Sequence, residues 1–530
     1  MRKSTFSSTL RETTELTIRT EGDLRASFVA KYLARKTDPK SPSSTQAMSN
    51  EAIRVLEPKA LWNHFADLNA VPRPSKKEER VIAFIKKFGE ELGLPTQVDQ
   101  AGNVIIKKPG TKGKEKDTPV ALQSHLDMVH QKNNDTQFNF DTDGIKMKVE
   151  GDWVKAEGTT LGADNGIGVA TIMTLLASTD IPHPPLEALF TIDEETGMTG
   201  AFELKGGLLD AHILLNLDTE EDNELTIGCA GGVDVTAKGT YSAEAVPEGI
   251  KGFRLTVKGL MGGHSGTEIH LGRGNANKLM NRILLENEKH GIRVATIEGG
   301  SLRNAIPRES VASIGLPAEN VDAFTKDFEK FRATITSEYK TTDPELTIEL
   351  TSADLSSKVM AASDQARFLR AIQACPGGIY RMSPDVEDLV QTSNNVARIE
   401  LKDGNYTVMC LTRGSVDSEK MDEANAIKAV FELIGAKVEF TGEYPGWTPR
   451  PDAKIVKLMS EIYRGRFKSE PHVLACHAGL ECGILGTNYP EMEMISFGPT
   501  IRGAHSPDER AQISSVLKFW GYLLETLEKI

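Results

Sequence analysis

No stretch of this 530-residue chain comes near the roughly 18 consecutive apolar residues that a membrane-spanning helix needs. Cysteine is scarce. The five present, Cys229, Cys375, Cys410, Cys476 and Cys482, are odd in number and widely scattered. That pattern argues against a disulfide framework and for free thiols in a reducing, cytoplasmic setting. Cys476 and Cys482 flank His477, but without a second cysteine pair they do not read as a structural zinc knuckle. Positive charge is also short: 62 Lys and Arg against 75 Asp and Glu leave a net charge of −13. Nucleic acid and anionic membrane surfaces are therefore not expected as partners. Solenoid-type repeats are missing as well.

What is present is an ordinary globular composition, with length for two or three cores. Residues 1–48 stand apart, rich in Ser, Thr and Arg with little apolar periodicity. A transit peptide is poor in acids, and Glu12, Glu15, Glu21, Asp23 and Asp38 count against one. The segment reads as a disordered extension, or as the product of a start upstream of Met48. Globular patterning begins near Leu56, with a helix opening at Pro58 and an amphipathic helix over Glu79–Leu92. Around Gly231-Gly232 the character changes. Residues 232–444 mix strands and helices with few acids after apolar strands, and Pro445-Gly446-Trp447-Thr448-Pro449 marks the return. The spacing predicts a catalytic domain in two parts, 49–231 and 445–530, interrupted by a domain at 232–444.

Four apolar runs deliver acids or imidazoles at their ends. Pro119–Leu122 leads into Ser124-His125-Leu126-Asp127, and Ala188–Ile192 into Asp193-Glu194-Glu195. Ile213–Leu217 ends in Asp218, and Met494–Phe497 precedes His505 across a short Gly/Pro loop. In parallel sheets, ligands bind beyond the carboxyl ends of the strands. Each element alone has a plain reading: a His after a strand is ordinarily a core or surface residue, Glu194-Glu195 a solvated turn, Asp164-Asn165-Gly166 a turn and helix cap. Their joint occurrence points to a metal site. A co-catalytic metal pair needs about five protein groups, one of them bridging. His125 and His505 supply imidazoles; Asp164, Glu195 and Asp218 supply carboxylates. Asp164, set among glycines, is the natural bridge. Asp127, two residues from His125, is placed to hold its ring. Glu194, beside Glu195, is placed to act as general base on a metal-activated water. The reaction that follows is metal-assisted hydrolysis of an amide.

The segments Ser124–Val129, Thr160–Gly168, Thr191–Gly197, Leu215–Glu221, Gly262-Gly263-His264-Ser265-Gly266, His477–Gly483 and Gly503–Pro507 together resemble the di-zinc aminoacylase and dipeptidase superfamily of metallopeptidases. The nearest branch is that of the Xaa-His, or cytosolic non-specific, dipeptidases. The resemblance runs from about residue 49 to the end. It implies an α/β fold: a mixed, mainly parallel sheet flanked by helices, interrupted by an α+β lid domain of two ferredoxin-like units. It implies two zinc ions, replaceable by manganese or cobalt, on His125, Asp164, Glu195, Asp218 and His505, with Asp127 and Glu194 as the catalytic pair. His264 resembles a lid histidine that stabilises an oxyanion. Asn304 and Arg413 resemble residues that bind the substrate's carboxylate end. His477 and Glu481 fall where the catalytic domain meets substrate. Small dipeptides are the implied substrates and a homodimer the implied assembly, with the long lid supplying its histidine within the chain. An N-acyl amino-acid deacylase, a tripeptidase, or a non-catalytic binding protein on the same fold are the alternatives.

Overall fold

The structure, a computed structural model, describes residues 50–530; the extension expected at 1–48 lies outside the described residues. The apolar runs form the middle of a sheet. Strands β1 (Thr96–Val98), β2 (Val104–Lys108), β3 (Val120–His125), β4 (Leu186–Thr191), β5 (Ile213–Asn216), β6 (Glu224–Cys229), β7 (His472–Cys476) and β8 (Glu493–Ser496) lie in the order β1-β2-β4-β3-β5-β8-β6-β7. β3 runs parallel to β4 and β5, β8 to β5, and β7 to β6; the remaining pairs are antiparallel. This is the mixed, mainly parallel sheet that the sequence implied.

β3 and β4 are buried at every position. Their stretches Val120–Leu122 and Ala188–Phe190 are continuously apolar rather than alternating because helices cover both faces of the sheet. On one face, helices Glu79–Glu91, Ala163–Ala177, Lys454–Phe467 and Ile513–Lys529 pack on Val120, Leu122, Ala188, Leu215 and Ile495. On the other, Thr199–Glu203 and Glu481–Asn488 pack on Ala121, Leu189 and Leu214. The alternation of Val120 and Leu122 with Ala121 between the two cores is the period of a strand. Helix Ala163–Ala177 is buried continuously from Asn165 to Leu176, which explains its lack of a polar stripe.

The second sheet is built entirely from residues between Gly231 and Tyr444 and holds nine antiparallel strands. It consists of two βαββαβ units. One comprises Ile250–Lys258, helix Ala276–Glu286, Arg293–Gly299, Ser310–Pro317, helix Val321–Tyr339 and Thr347–Ser352. The other comprises Gly231–Thr240, helix Ala362–Ala374, Val390–Lys402, Asn405–Gly414, helix Asp417–Glu432 and Lys437–Tyr444. Within each unit the spatial strand order is fourth, first, third, second, the ferredoxin-like arrangement. The first unit is nested inside the second, and their second strands pair edge to edge at Ile297–Gly299 with Ile399–Leu401. Joining the two edges buries strand groups that would otherwise stand open. Helix Asp417–Glu432 and the three other helices close one shared apolar core.

Both crossings between the sheets lie side by side. Cys229 and Trp447 exchange backbone hydrogen bonds at 3.0 and 2.9 Å.

Candidate active site

β3 ends at His125, and Asp127 follows two residues on; both are buried. Asp127 is held by the chain that carries the neighbouring acids. Its Oδ1 accepts the backbone N–H of Glu194 at 3.0 Å and its Oδ2 that of Glu195 at 3.2 Å. These amides open the short helix Glu194–Gly197, whose first N–H groups have no partner within the helix. The same Oδ1 lies 3.3 Å from Nδ1 of His125, so Nε2 of that ring is turned towards the cluster beyond.

There Asp164 is the central residue. Its Oδ1 is 3.1 Å from Nε2 of His125, which in turn is 3.5 Å from Oδ1 of Asp218. Its Oδ2 is 3.2 Å from Nε2 of His505, which in turn is 2.9 Å from Oε2 of Glu195. The carboxylate thus has one oxygen in each of two donor groups. Donor atoms around a tetrahedral ion at 2.0–2.2 Å stand about 3.3–3.6 Å apart, close to these separations. Oε1 of Glu195 is buried with no partner among the described residues. Asp164 and Asn165 leave helical geometry at the start of helix Ala163–Ala177, and Asn165 donates to the backbone oxygen of Leu217 at 2.8 Å and to Asp218. His505 adopts a left-handed backbone (φ 63°) on the loop after β8.

Electrostatics fit a cation cage. Burial alone would lower the basicity of His125, but Asp218, Asp127 and Asp164 outweigh it and raise the ring well above the usual imidazole range. His505 is raised to about 11 by its hydrogen bonds to Asp164 and Glu195. Burial pushes the Glu194 carboxyl well above the usual carboxylate range, with Asp218, Glu481 and Glu195 adding to the effect. His125, Asp164 and Glu195 bring one ligand atom each within 4.8 Å of one another, a donor set of the kind a metal ion takes, for which protons and metal would compete.

The insert contributes a second cluster. Nδ1 of His264 accepts the backbone N–H groups of Gly266 and Thr267 at 3.2 and 3.1 Å, so the ring's proton sits on Nε2. Ser265 N–H bonds the backbone oxygen of Asn304 at 2.8 Å, which ties that exposed residue to the same turn. Arg413 is buried; it donates to the Tyr444 hydroxyl at 2.9 Å and its Nε has no partner among the described residues. His477, also buried, bonds Ser393 at 2.7 Å and is driven down to about 3 by burial, hence neutral. At Gly266 the insert also approaches the residue after β7: a Cβ there would stand 2.3 Å from the His477 oxygen and 3.2 Å from Nε of Arg413. Among the described residues a cleft of about 990 Å³ runs from Asp218, Thr219 and Glu220 past Thr267 and His477 to the hairpin at Ile379–Val390.

Glu481 takes a different place. Its Oε2 accepts from Gln123 Nε2 and Thr191 Oγ1, both at 2.6 Å, and the residue is 1% exposed. Both partners belong to the strands that lead to the cage, Gln123 to β3 and Thr191 to β4. Sequence reading did not single out Arg73 or Glu509, whose side chains hold the loops of the cage. Arg73 lies between Pro72 and Pro74, and Glu509 four residues after His505; those were the available signals.

Residues 121–529 match the peptidase family M20/M25/M40. The chain belongs to this family. It is 44% identical over 479 residues to the cytosol non-specific dipeptidase of Escherichia coli (strain K12), covering 90% of this chain and 99% of that one. The crystal structure of aminoacylhistidine dipeptidase from Vibrio alginolyticus superposes with a TM-score of 0.87 at 44% identity, over 90% of this chain and 98% of that one. The aminopeptidase PepT of Bacillus cereus, at 15% identity and a TM-score of 0.53, shares the fold. The family match covers the sheet strands from β3 onward, the whole insert and His505.

Proposed function

We propose that this chain is a metal-dependent dipeptidase that hydrolyses the peptide bond of unblocked dipeptides, Xaa-His among them. The observation that carries the reading is the two-sided carboxylate of Asp164, one oxygen towards His125 and Asp218 and the other towards His505 and Glu195. The dipeptide class rests on the names and near full-length similarity of the two relatives at 44% identity. Two zinc ions, or manganese or cobalt in their place, would be held by His125, Asp164, Glu195, Asp218 and His505. Bound divalent metal supplies Lewis-acid polarisation of the scissile carbonyl and brings a water's pKa down to about 7.

The chain's own residues do the rest. Glu194, kept in a buried setting that raises its basicity, accepts a proton from the attacking water and returns it to the leaving amine. Asp127 keeps Nε2 of His125 aimed at the cage. His264, with its proton on Nε2, donates to the oxyanion that develops on the carbonyl. Arg413, whose buried Nε has no partner among the described residues, and Asn304 take the substrate's carboxylate; His477 lines the cleft. A clamp on the free carboxylate limits substrate length. In this reading residues 49–231 and 445–530 are the catalytic domain, 232–444 the lid, the assembly a homodimer and the setting cytosolic.

The test is hydrolysis of a panel of Xaa-His and other dipeptides beside their N-acetylated forms and tripeptides, by zinc-loaded wild type and Glu194→Ala. Cleavage of free dipeptides, lost in a variant that keeps its metal, is the expected result. Cleavage of the acetylated set or of tripeptides instead would move the chain to a deacylase or tripeptidase. No cleavage of any, with metal bound, would overturn the enzymatic reading.

A further inference from the structure

The loop that carries Asp164 is gripped from two sides by residues that touch neither the cleft nor a donor atom of the cage. Glu509, 2% exposed, accepts four consecutive backbone N–H groups. Its Oε2 takes those of Leu161 at 2.7 Å and Gly162 at 2.9 Å; its Oε1 takes those of Ala163 at 2.7 Å and Asp164 at 3.2 Å. The four amides lead into helix Ala163–Ala177 and would otherwise be buried without partners. A carboxylate is an acceptor only, so it matches four donors without conflict.

Arg73, 1% exposed, works on the opposite groups. Its Nη1 donates to the backbone oxygens of Leu126 at 3.1 Å and Asp127 at 3.0 Å; its Nη2 donates to Oδ1 of Asn69 at 3.2 Å and to the backbone oxygen of Gly162 at 2.5 Å. One planar fork therefore bonds both the segment after His125 and the loop before Asp164. The two glycines beside it are dictated by this approach. A Cβ on Gly162 would fall 2.5 Å from Nη2 and one on Gly166 2.6 Å from it. Gly162 also has φ of 69°, where a side chain is strained in any case.

We propose that Arg73 and Glu509 are a positioning pair that fixes Asp164 relative to His125, and through it the spacing of the two donor groups. Glu509 sets the loop from its amides, Arg73 from its carbonyl, and only the guanidinium fork spans to the His125 side. Lysine is a point donor and cannot reproduce the span. The proposal rests on the reading of Asp164 as the shared metal ligand, and its test separates the two.

Wild type, Glu509→Gln, Arg73→Lys and Asp164→Asn are loaded with cobalt(II). Metal per chain, the visible cobalt spectrum, and kcat and KM on one dipeptide are then measured, with near-ultraviolet circular dichroism as a check of fold. Glu509→Gln turns an amide NH2 towards N–H donors and keeps two acceptor bonds at most. Folded Glu509→Gln and Arg73→Lys are expected to hold less cobalt at a fixed chelator concentration, with an altered spectrum. Their kcat is expected to fall about 10–100-fold, the range seen when groups that orient metal ligands are removed, with KM within about twofold. Both variants matching wild type in metal, spectrum and kcat, beside a depleted Asp164→Asn, overturns the pair alone. Full cobalt in Asp164→Asn overturns the shared-ligand reading and this proposal with it. Hydrogen exchange on the wild-type protein needs no variant: the amides of Leu161–Asp164 are expected to be protected to the level of the helix core, and rapid exchange in the folded protein overturns the role of Glu509.

Discussion

Asp127 and Glu194 are joined through the backbone: Oδ1 of Asp127 accepts the N–H of Glu194 at 3.0 Å while lying 3.3 Å from Nδ1 of His125. One buried carboxylate thus sets both a ring of the proposed cage and the placement of the proposed base. Asp127→Asn keeps the shape but presents an NH2 to N–H donors. Its kcat is expected to fall about 10–100-fold, with weaker metal retention. Steady-state kinetics with metal analysis on the same preparation checks this.

Glu194→Gln removes the base and keeps the volume. Among the described residues the Glu194 side chain makes no hydrogen bond for the change to break, so fold and metal content should survive. The expected loss in kcat is about 10²–10⁴-fold. Unchanged turnover would rule Glu194 out as the proton carrier.

Removing metal leaves the carboxylates of Asp164, Glu195 and Asp218 crowded around two imidazoles. Chelator should abolish activity and lower Tm, and zinc, manganese or cobalt should restore both. At a thousand times Kd a bound ion contributes about 4 kcal/mol of stability, a shift readily seen by calorimetry.

Arg413→Ala takes away the partner proposed for the substrate's carboxylate. Hydrogen bonds to charged groups are worth about 1.5–3 kcal/mol, so KM should rise about 10–100-fold. His264→Ala should instead lower kcat and leave KM nearly alone. Measuring both variants on one dipeptide separates carboxylate binding from oxyanion stabilisation; a pair with the same profile would contradict the division of roles.

Glu423 offers a pH test far from the cage. It is fully buried on helix Asp417–Glu432, both oxygens lack partners among the described residues, and burial together with Cys410 and Glu419 pushes its carboxyl up to about 8. The folded protein therefore binds this proton more tightly than the unfolded chain does. The stability the proton provides is full below the unfolded carboxyl's pKa and is lost as pH rises through about 8. At about 1.4 kcal/mol per pKa unit the ceiling is roughly 4–5 kcal/mol. Glu423→Gln should flatten the decline, so its Tm gains on wild type between pH 5 and 9. Parallel Tm profiles would show that Glu423 does not titrate in this way.

The sequence pointed to the cluster proposed here as a cage because its members sit at or after the ends of β3, β4 and β5 or on Gly-rich loops, and the ends of strands buried on both faces can be read from their apolar stretches. It showed the two-unit character of the insert less directly: each βαββαβ unit is ordinary in pattern, but nesting one inside the other and pairing Ile297 with Leu401 are facts of tertiary structure. Arg73 and Glu509 were not singled out because their meaning lies in partners far along the chain; Glu509 and Leu161 are separated by 348 positions. Glu481 illustrates the same limit. Its neighbours in sequence placed it beside substrate, but its hydrogen-bond partners come from two other strands, Gln123 lying 358 positions away and Thr191 290.

The paired backbone hydrogen bonds between Cys229 and Trp447 have a consequence for how such a molecule can be assembled and varied. Everything between them departs from and returns to a single spot, so the whole second sheet is, in topological terms, one very large loop. A short peptide joining the two crossings would leave every strand of the first sheet in its place and order. The architecture is therefore modular: a different cassette can be spliced at that junction without rethreading the sheet that bears His125, and a new mouth can be fitted to an unchanged furnace.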